Sequence, residues 1–241
     1  MTQQQVREYL EVFIRTLEQR DRDLLDARLQ SLASVFPFNE YEYILMFLRD
    51  RSVISFEQYE DLRNRYVSAN RYLNLFGLAP RIFGQIWGEQ HLRDLDSRFR
   101  EADRAVDADH KGQYDLWIEG VRVEVKAARA IDTKKRGDLV SKALRSDSDR
   151  PYWMNFQQLK LDICDVFVFL GVWVDAIRYW VLSHDDVKNS PYLSHQHRGG
   201  VEYQIGITHK NISAFEQYLV DPPHVAEKVI ILGQQKETDE S

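Results

Sequence analysis

The chain has 241 residues, of which 44% are hydrophobic and 29% charged, with 11 glycines and 6 prolines. This is ordinary globular composition, so disordered, collagen-like and low-complexity classes are excluded, and the length allows one large domain or two small ones. The formal net charge of −6 does not advertise a nucleic-acid binder, although an enzyme that holds DNA in a cleft works through local fields rather than net charge.

The first third reads as helical. Val6, Leu10, Phe13, Ile14 and Leu17 recur at three- and four-residue spacing, and Leu24, Leu25, Leu29 and Leu32 continue the pattern until Pro37 and Asn39 break it. A second helix is predicted over 40–50, with Tyr43, Ile44, Phe47 and Leu48 inward. Ser55 and Gln58 have the spacing of a capping box for a third helix carrying Tyr59, Leu62 and Tyr66. After Gly77 and Pro80 the pattern restarts as a long polar helix over 81–104. Strands are predicted at 113–118 and 121–128, followed by a basic, polar stretch over 129–150. A short helix over 152–161 comes next, then two apolar strands at 165–174 and 177–182. A loop over 183–200, a strand at 202–208 and a helix at 212–219 follow. Pro222 and Pro223 end that helix, 229–232 forms a last strand, and a polar tail begins at Gln234. The predicted class is α/β, in the α+β sense of a mixed sheet flanked by helices. The organisation is a helical region over 1–80, a sheet-bearing core over 81–233 and a tail over 234–241.

No run approaches the roughly 20 apolar residues of a bilayer span, and the polar start lacks the apolar stretch of a signal peptide. The single cysteine, Cys164, rules out an internal disulfide and a multi-cysteine metal cage. It lies in an apolar run, where it reads as a small buried hydrophobe. A reducing, cytoplasmic setting without membrane association is expected.

The chemistry concentrates between Asp115 and Lys126. Placing Glu119-Gly120 at the turn of a two-residue hairpin pairs Ile118 with Val121, Trp117 with Arg122, Leu116 with Val123 and Asp115 with Glu124. One face, Tyr114, Leu116, Ile118, Val121, Val123 and Val125, is wholly apolar and must be buried. The other carries Asp115, Trp117, Arg122, Glu124 and Lys126. Two carboxylates directly opposed, with Cβ atoms roughly 4.5–5.5 Å apart, destabilise a sheet unless a cation joins them. A divalent ion with hard oxygen ligands would do so, and Lys126 can reach the same point. Such a set suits metal-assisted phosphodiester hydrolysis. A solvated polar strand face is the plain alternative.

Asp115 with Glu124-Val125-Lys126 on a hairpin, set after one predicted helix and before another helix and strand, resembles the PD-(D/E)XK nuclease superfamily. In size and layout it is most similar to a type II restriction endonuclease. The resemblance spans about residues 81–182, with Tyr114 where the superfamily's signature has proline. It implies a restriction-endonuclease-like core in which Asp115 and Glu124 ligate Mg²⁺, the Val125 carbonyl adds a ligand, and Lys126 assists the attacking water. Cleavage would leave 5′-phosphate and 3′-hydroxyl ends. It also implies a glutamate from the preceding helix. Glu89, inside the apolar arc between Ile86 and Leu92, is the first choice and Glu101 the second; Glu89 could instead be a surface acid paired with Arg93.

Further candidates are DNA contacts. Lys134, Lys135, Arg136 and Lys142 (with Arg145) could neutralise phosphates. Gln157 and Lys160 share a face of the predicted 152–161 helix, which the resemblance turns toward the site. His195, Gln196, His197 and Arg198 form a loop with donors suited to base edges. The His195–His197 pair lacks a matching third ligand for zinc. The expected protein is therefore a Mg²⁺-dependent endonuclease of double-stranded DNA, a homodimer acting beside a DNA methyltransferase of the same specificity. A repair, recombination or phage-defence nuclease of the same fold stands as the first rival, and a non-catalytic DNA-binding protein with a decayed site as the second.

Overall fold

The structure is a computed structural model describing residues 10–31, 39–197 and 201–239. The readings that rest on Val6, Leu32, Pro37 and Arg198 lie outside the described residues. The chain divides into two compact units, residues 1–77 with 138–141, and residues 78–137 with 142–241.

The first unit is helical. α1 (Gln19–Ser31), α2 (Asn39–Asp50) and α3 (Phe56–Ala69) are followed by a 3₁₀ turn, Leu73–Gly77. Ser55 caps α3 as its spacing predicts: its hydroxyl accepts from the Gln58 N–H and the Gln58 side chain accepts from the Ser55 N–H. Leu25, Leu45, Leu48 and Leu62 are buried, and the rings of Tyr41 and Tyr66 stack at 3.9 Å between α2 and α3.

The second unit holds two sheets. The larger contains β1 (Arg100–Glu101), β2 (Leu116–Ile118), β3 (Val121–Arg129), β5 (Val166–Val172), β6 (Ile177–Ser183) and β9 (Leu219–Val220), in the order β1-β2-β3-β5-β6-β9. Only β3 and β5 run parallel; the other pairs are antiparallel, so the sheet is mixed. All seven residues of β5 are buried, as expected of a central strand covered on both faces. The smaller sheet, in the order β4-β8-β7, joins β4 (Trp153–Leu159), β8 (Val201–Thr208) and β7 (Leu193–His197). It packs against one face of the larger sheet, Met154, Phe156, Ile205 and Ile207 meeting Phe167, Phe169 and Trp180, with Phe156 stacked on Phe169 at 4.5 Å. The opposite face carries Val123, Val125, Val166, Val168 and Leu170. It is covered by α4 (Gly88–Leu95) through Leu92 and by α6 (Val225–Asp239) through Val225, Ala226, Val229 and Ile230. The mixed α/β class is thus as predicted.

Several local expectations are corrected. The helix over 81–104 is shorter: a π-helical turn, Ile82–Trp87, leads into α4, which stops at Leu95 where Asp96 turns extended. Glu101 therefore lies on a strand. The predicted 152–161 helix is β4, so Gln157 and Lys160 do not share a helical face. The 183–200 loop contains a short helix, α5 (His184–Lys188), started by a Ser183/Asp186 capping box, and then β7. Residues 212–218 form 3₁₀ rather than α-helix. Pro222 and Pro223 begin a helix instead of only ending one, which suits proline's fixed φ and absent N–H. Residues 229–232 are accordingly helical within α6, and the supposed tail continues that helix to Asp239. Among the described residues no helix is long and apolar enough to cross a membrane.

Candidate functional site

The β2–β3 hairpin has the predicted register, Ile118 with Val121, Trp117 with Arg122 and Leu116 with Val123. Glu119 and Gly120 both take positive φ, 46° and 92°, the requirement of a type I′ turn matched to strand twist. The ladder is then disrupted at Asp115. Its N–H donates to the Val123 carbonyl at 3.1 Å, and its carboxylate Oδ2 accepts the Val125 N–H at 2.9 Å. The direct Asp115–Glu124 opposition is replaced by a side chain that stands in for the missing strand. Tyr114 consequently leaves the face of Leu116 and packs in the core with Phe167 and Phe169. It is buried all the same.

This distortion gathers the site. Glu124 is fully buried, with its Oε1 against the Lys126 ammonium. Lys126 Nζ also lies 3.9 Å from Asp115 Oδ2. Lys160, on the turn after β4, places its ammonium 3.2 Å from Asp115 Oδ1 and 3.3 Å from Glu124 Oε2. The Cys164 thiol donates to Glu124 Oε2 at 3.2 Å. Two carboxylates and two ammoniums thus form one knot.

Lys160 arrives by a route the sequence concealed. β4 carries a bulge, with φ 58° at Gln158 and a register shift between Gln157 and Leu159. The chain then turns at Lys160, whose carbonyl accepts N–H bonds from Ile163 and Cys164, each at 3.2 Å. Asp165 follows, tying β5 to β3: its N–H donates to the Arg122 carbonyl and its Oδ2 accepts the Arg122 N–H, both at 2.9 Å.

Glu89 sits on the first turn of α4. That turn faces β3 and β5 at Gly88, where an added Cβ would lie in ordinary contact with the Ala127 Cβ at 3.5 Å and the Leu170 side chain at 3.8 Å. Arg93 does not pair with Glu89; it bonds Glu101 and Gln90 at 3.1 and 2.7 Å instead. Burial, and then the charge of Asp115, push the Glu89 carboxyl up to about 7, with Arg93 and Lys126 opposing the rise. Burial also raises Glu124 against the pull of Lys126. Burial works against the charge of Lys160, but Glu124 and Asp115 outweigh it and its pKa is raised. The Cys164 thiol is held protonated by burial and by Glu124.

For a metal, the donors present are the hard oxygens of Asp115 and Glu124. The N–H and C=O of one strand residue share an edge, so the Val125 carbonyl points to the edge from which its N–H meets Asp115. An ammonium already bridging the two carboxylates marks a cation-binding position. The pair therefore fits a divalent ion with oxygen preference. Among the described residues no three acidic, histidine or cysteine side chains gather around one point, so Glu89 stands beside the pair and not in a ligating cluster with it.

The remaining candidates lie on other segments of the second unit. Lys134, Lys135 and Arg136 are exposed, on a segment anchored where the buried Asp132 carboxylate accepts the Lys134 N–H at 2.8 Å. Lys142 is half-buried and offers its carbonyl to Asp132 N–H at 2.8 Å. Gln157 is exposed on β4 opposite Gln204. His195, Gln196 and His197 lie on the edge strand β7, with Gln196 bonded to Glu202 at 3.3 Å.

No family model, no curated protein and no solved structure matches the chain.

Proposed function

We propose that this chain is a Mg²⁺-dependent endonuclease of double-stranded DNA, of the PD-(D/E)XK kind and most like a type II restriction enzyme. The observation that carries this reading is the convergence of Asp115, Glu124 and Lys126 at the disrupted end of a hairpin, with Glu89 beside them. Besides Tyr114 in place of the signature proline, the connection from β3 to β5 departs from the resemblance, supplying a strand where a helix is implied. The same connection nevertheless delivers a second lysine to the acids.

Asp115 and Glu124 would hold Mg²⁺ with the Val125 carbonyl, and Glu89 would serve through water. Bound there, the ion would polarise a phosphoryl oxygen and lower the pKa of water. Lys126 orients the attacking water and offsets negative charge developing on the phosphoryl group. The buried Glu124 holds Lys126 in place, and Asp115 joins the backbone of β3 to the acidic pair. Hydrolysis leaves a 5′-phosphate and a 3′-hydroxyl. One site per chain and two strands to cut suit a cytoplasmic homodimer on a palindromic duplex, partnered by a methyltransferase of the same specificity.

Supercoiled plasmid and Mg²⁺ test this. Wild type is expected to nick and linearise it, while Asp115→Ala and Lys126→Ala lose about 100-fold or more of the rate. Equal rates for wild type and Asp115→Ala would sink the reading. Discrete fragments from long linear duplex DNA support sequence specificity; a smear assigns the chain to the structure-selective repair or defence nucleases.

A further inference from the structure

We infer that the Lys160 ammonium is the resident counter-ion of the Asp115–Glu124 pair in the metal-free protein, and that it must swing out before a divalent cation enters. The inference rests on the nuclease reading and assigns Lys160 a role beyond a simple phosphate contact.

The oxygens are accounted for one by one. Asp115 Oδ1 and Glu124 Oε2 are bridged by Lys160 Nζ at 3.2 and 3.3 Å. Asp115 Oδ2 accepts the Val125 N–H, and Glu124 Oε1 faces Lys126. An incoming ion therefore competes with an ammonium for the same oxygens. The charges argue likewise. Two carboxylates and two ammoniums balance, so a divalent ion added to the intact knot would leave it with two excess positive charges. Like charges this close repel strongly at a partly buried site, where water screens them little.

Of the two lysines, Lys160 is the one that can leave. Lys126 belongs to β3, hydrogen-bonded into the sheet beside β5, and its side chain is 20% exposed. The Lys160 side chain is 32% exposed. Its backbone is fixed by the two N–H bonds to its carbonyl, so its four-carbon stem can rotate toward solvent while the turn stays put. The anion that would receive the departing ammonium is a backbone phosphate of the duplex. Metal and DNA uptake are then coupled through one side chain, each favouring the other by the same factor.

Mn²⁺ binding followed by electron paramagnetic resonance, without DNA, tests this apart from activity. Lys160→Met and Lys160→Gln, confirmed as folded by circular dichroism, are expected to bind Mn²⁺ about tenfold or more tightly than wild type, and Lys160→Arg about as wild type does. Adding a cleavage-resistant phosphorothioate duplex should tighten Mn²⁺ binding in wild type and do so much less in Lys160→Met. If wild type binds Mn²⁺ and both neutral variants bind it no more tightly, Lys160 is not the counter-ion, and the nuclease reading stands without it. If neither wild type nor any variant binds Mn²⁺, the nuclease reading falls and takes this inference with it.

Discussion

Glu89 is where the site's electrostatics become measurable in a single residue. Its carboxyl rises from an ordinary 4.5 to about 7 because burial on the first turn of α4 disfavours its charge and Asp115 repels it. The folded protein therefore holds this proton more tightly than the unfolded chain does. The stabilisation is complete below about pH 4.5, declines as pH rises, and is gone above about 7. Glu89→Gln fixes the neutral form in nearly the same shape. With chelator present, thermal melting of variant and wild type should coincide near pH 4, and the variant should melt higher near pH 8. Parallel curves across that range would mean that burial and Asp115 do not raise the Glu89 carboxyl. The helical wheel named Glu89 on a premise the structure does not keep: Leu92 is buried, but Ile86 is 64% exposed and belongs to the π-helical turn before α4. Lys160 was named only as a phosphate contact on a helix face; its place between the two acids was not legible, because it depends on a bulge and a turn with no side-chain signature in the sequence.

Among the elements, the hairpin was readable because strict alternation and a Glu-Gly turn leave one register that buries Leu116, Ile118, Val121 and Val123 together. β4 was misread for a physical reason. Its buried side chains are Met154, Phe156 and Leu159, and the bulge at Gln158 turns the two-residue period into a three-residue step that imitates a helix. At the end of the chain, the aliphatic run Val229–Leu232 resembled a strand. Yet Ile231 is 44% exposed while Val225, Ala226, Val229 and Ile230 are buried, a helical period. α6 docks through Gly233, where an added Cβ would collide with both methyls of Val121 at the start of β3. Gly233→Ala should cost about 1–3 kcal/mol in urea unfolding, the usual penalty of overpacking. Gly84→Ala, where nothing lies within 4 Å, should be neutral or stabilise by up to about 1 kcal/mol. Equal effects at the two positions would mean that α6 does not pack on the hairpin in this way.

For the whole molecule, a net charge of −6 means that any affinity for DNA must come from where its cations are placed. Lys134, Lys135 and Arg136 are an exposed basic run close after β3 in sequence, and the backbone that presents them is fixed by Asp132, whose carboxyl is held below its ordinary range first by the Lys134 N–H. A fixed base under three exposed cations suits phosphate neutralisation, which releases counter-ions and so makes binding salt-dependent. On the proposed reading, replacing all three by alanine should weaken duplex binding and flatten the dependence of log affinity on log salt concentration by about 2.7, roughly 0.9 for each phosphate no longer neutralised. Fluorescence anisotropy with a labelled duplex over a potassium chloride series, with chelator to prevent cleavage, measures both. The Asp115→Ala protein should keep the wild-type slope, because it gives up an acid and keeps all three of these cations. An unchanged slope in the triple variant would remove this segment from the DNA-facing surface and move the search to the exposed polar side chains of β4 and β7, where Gln157 and His195 lie.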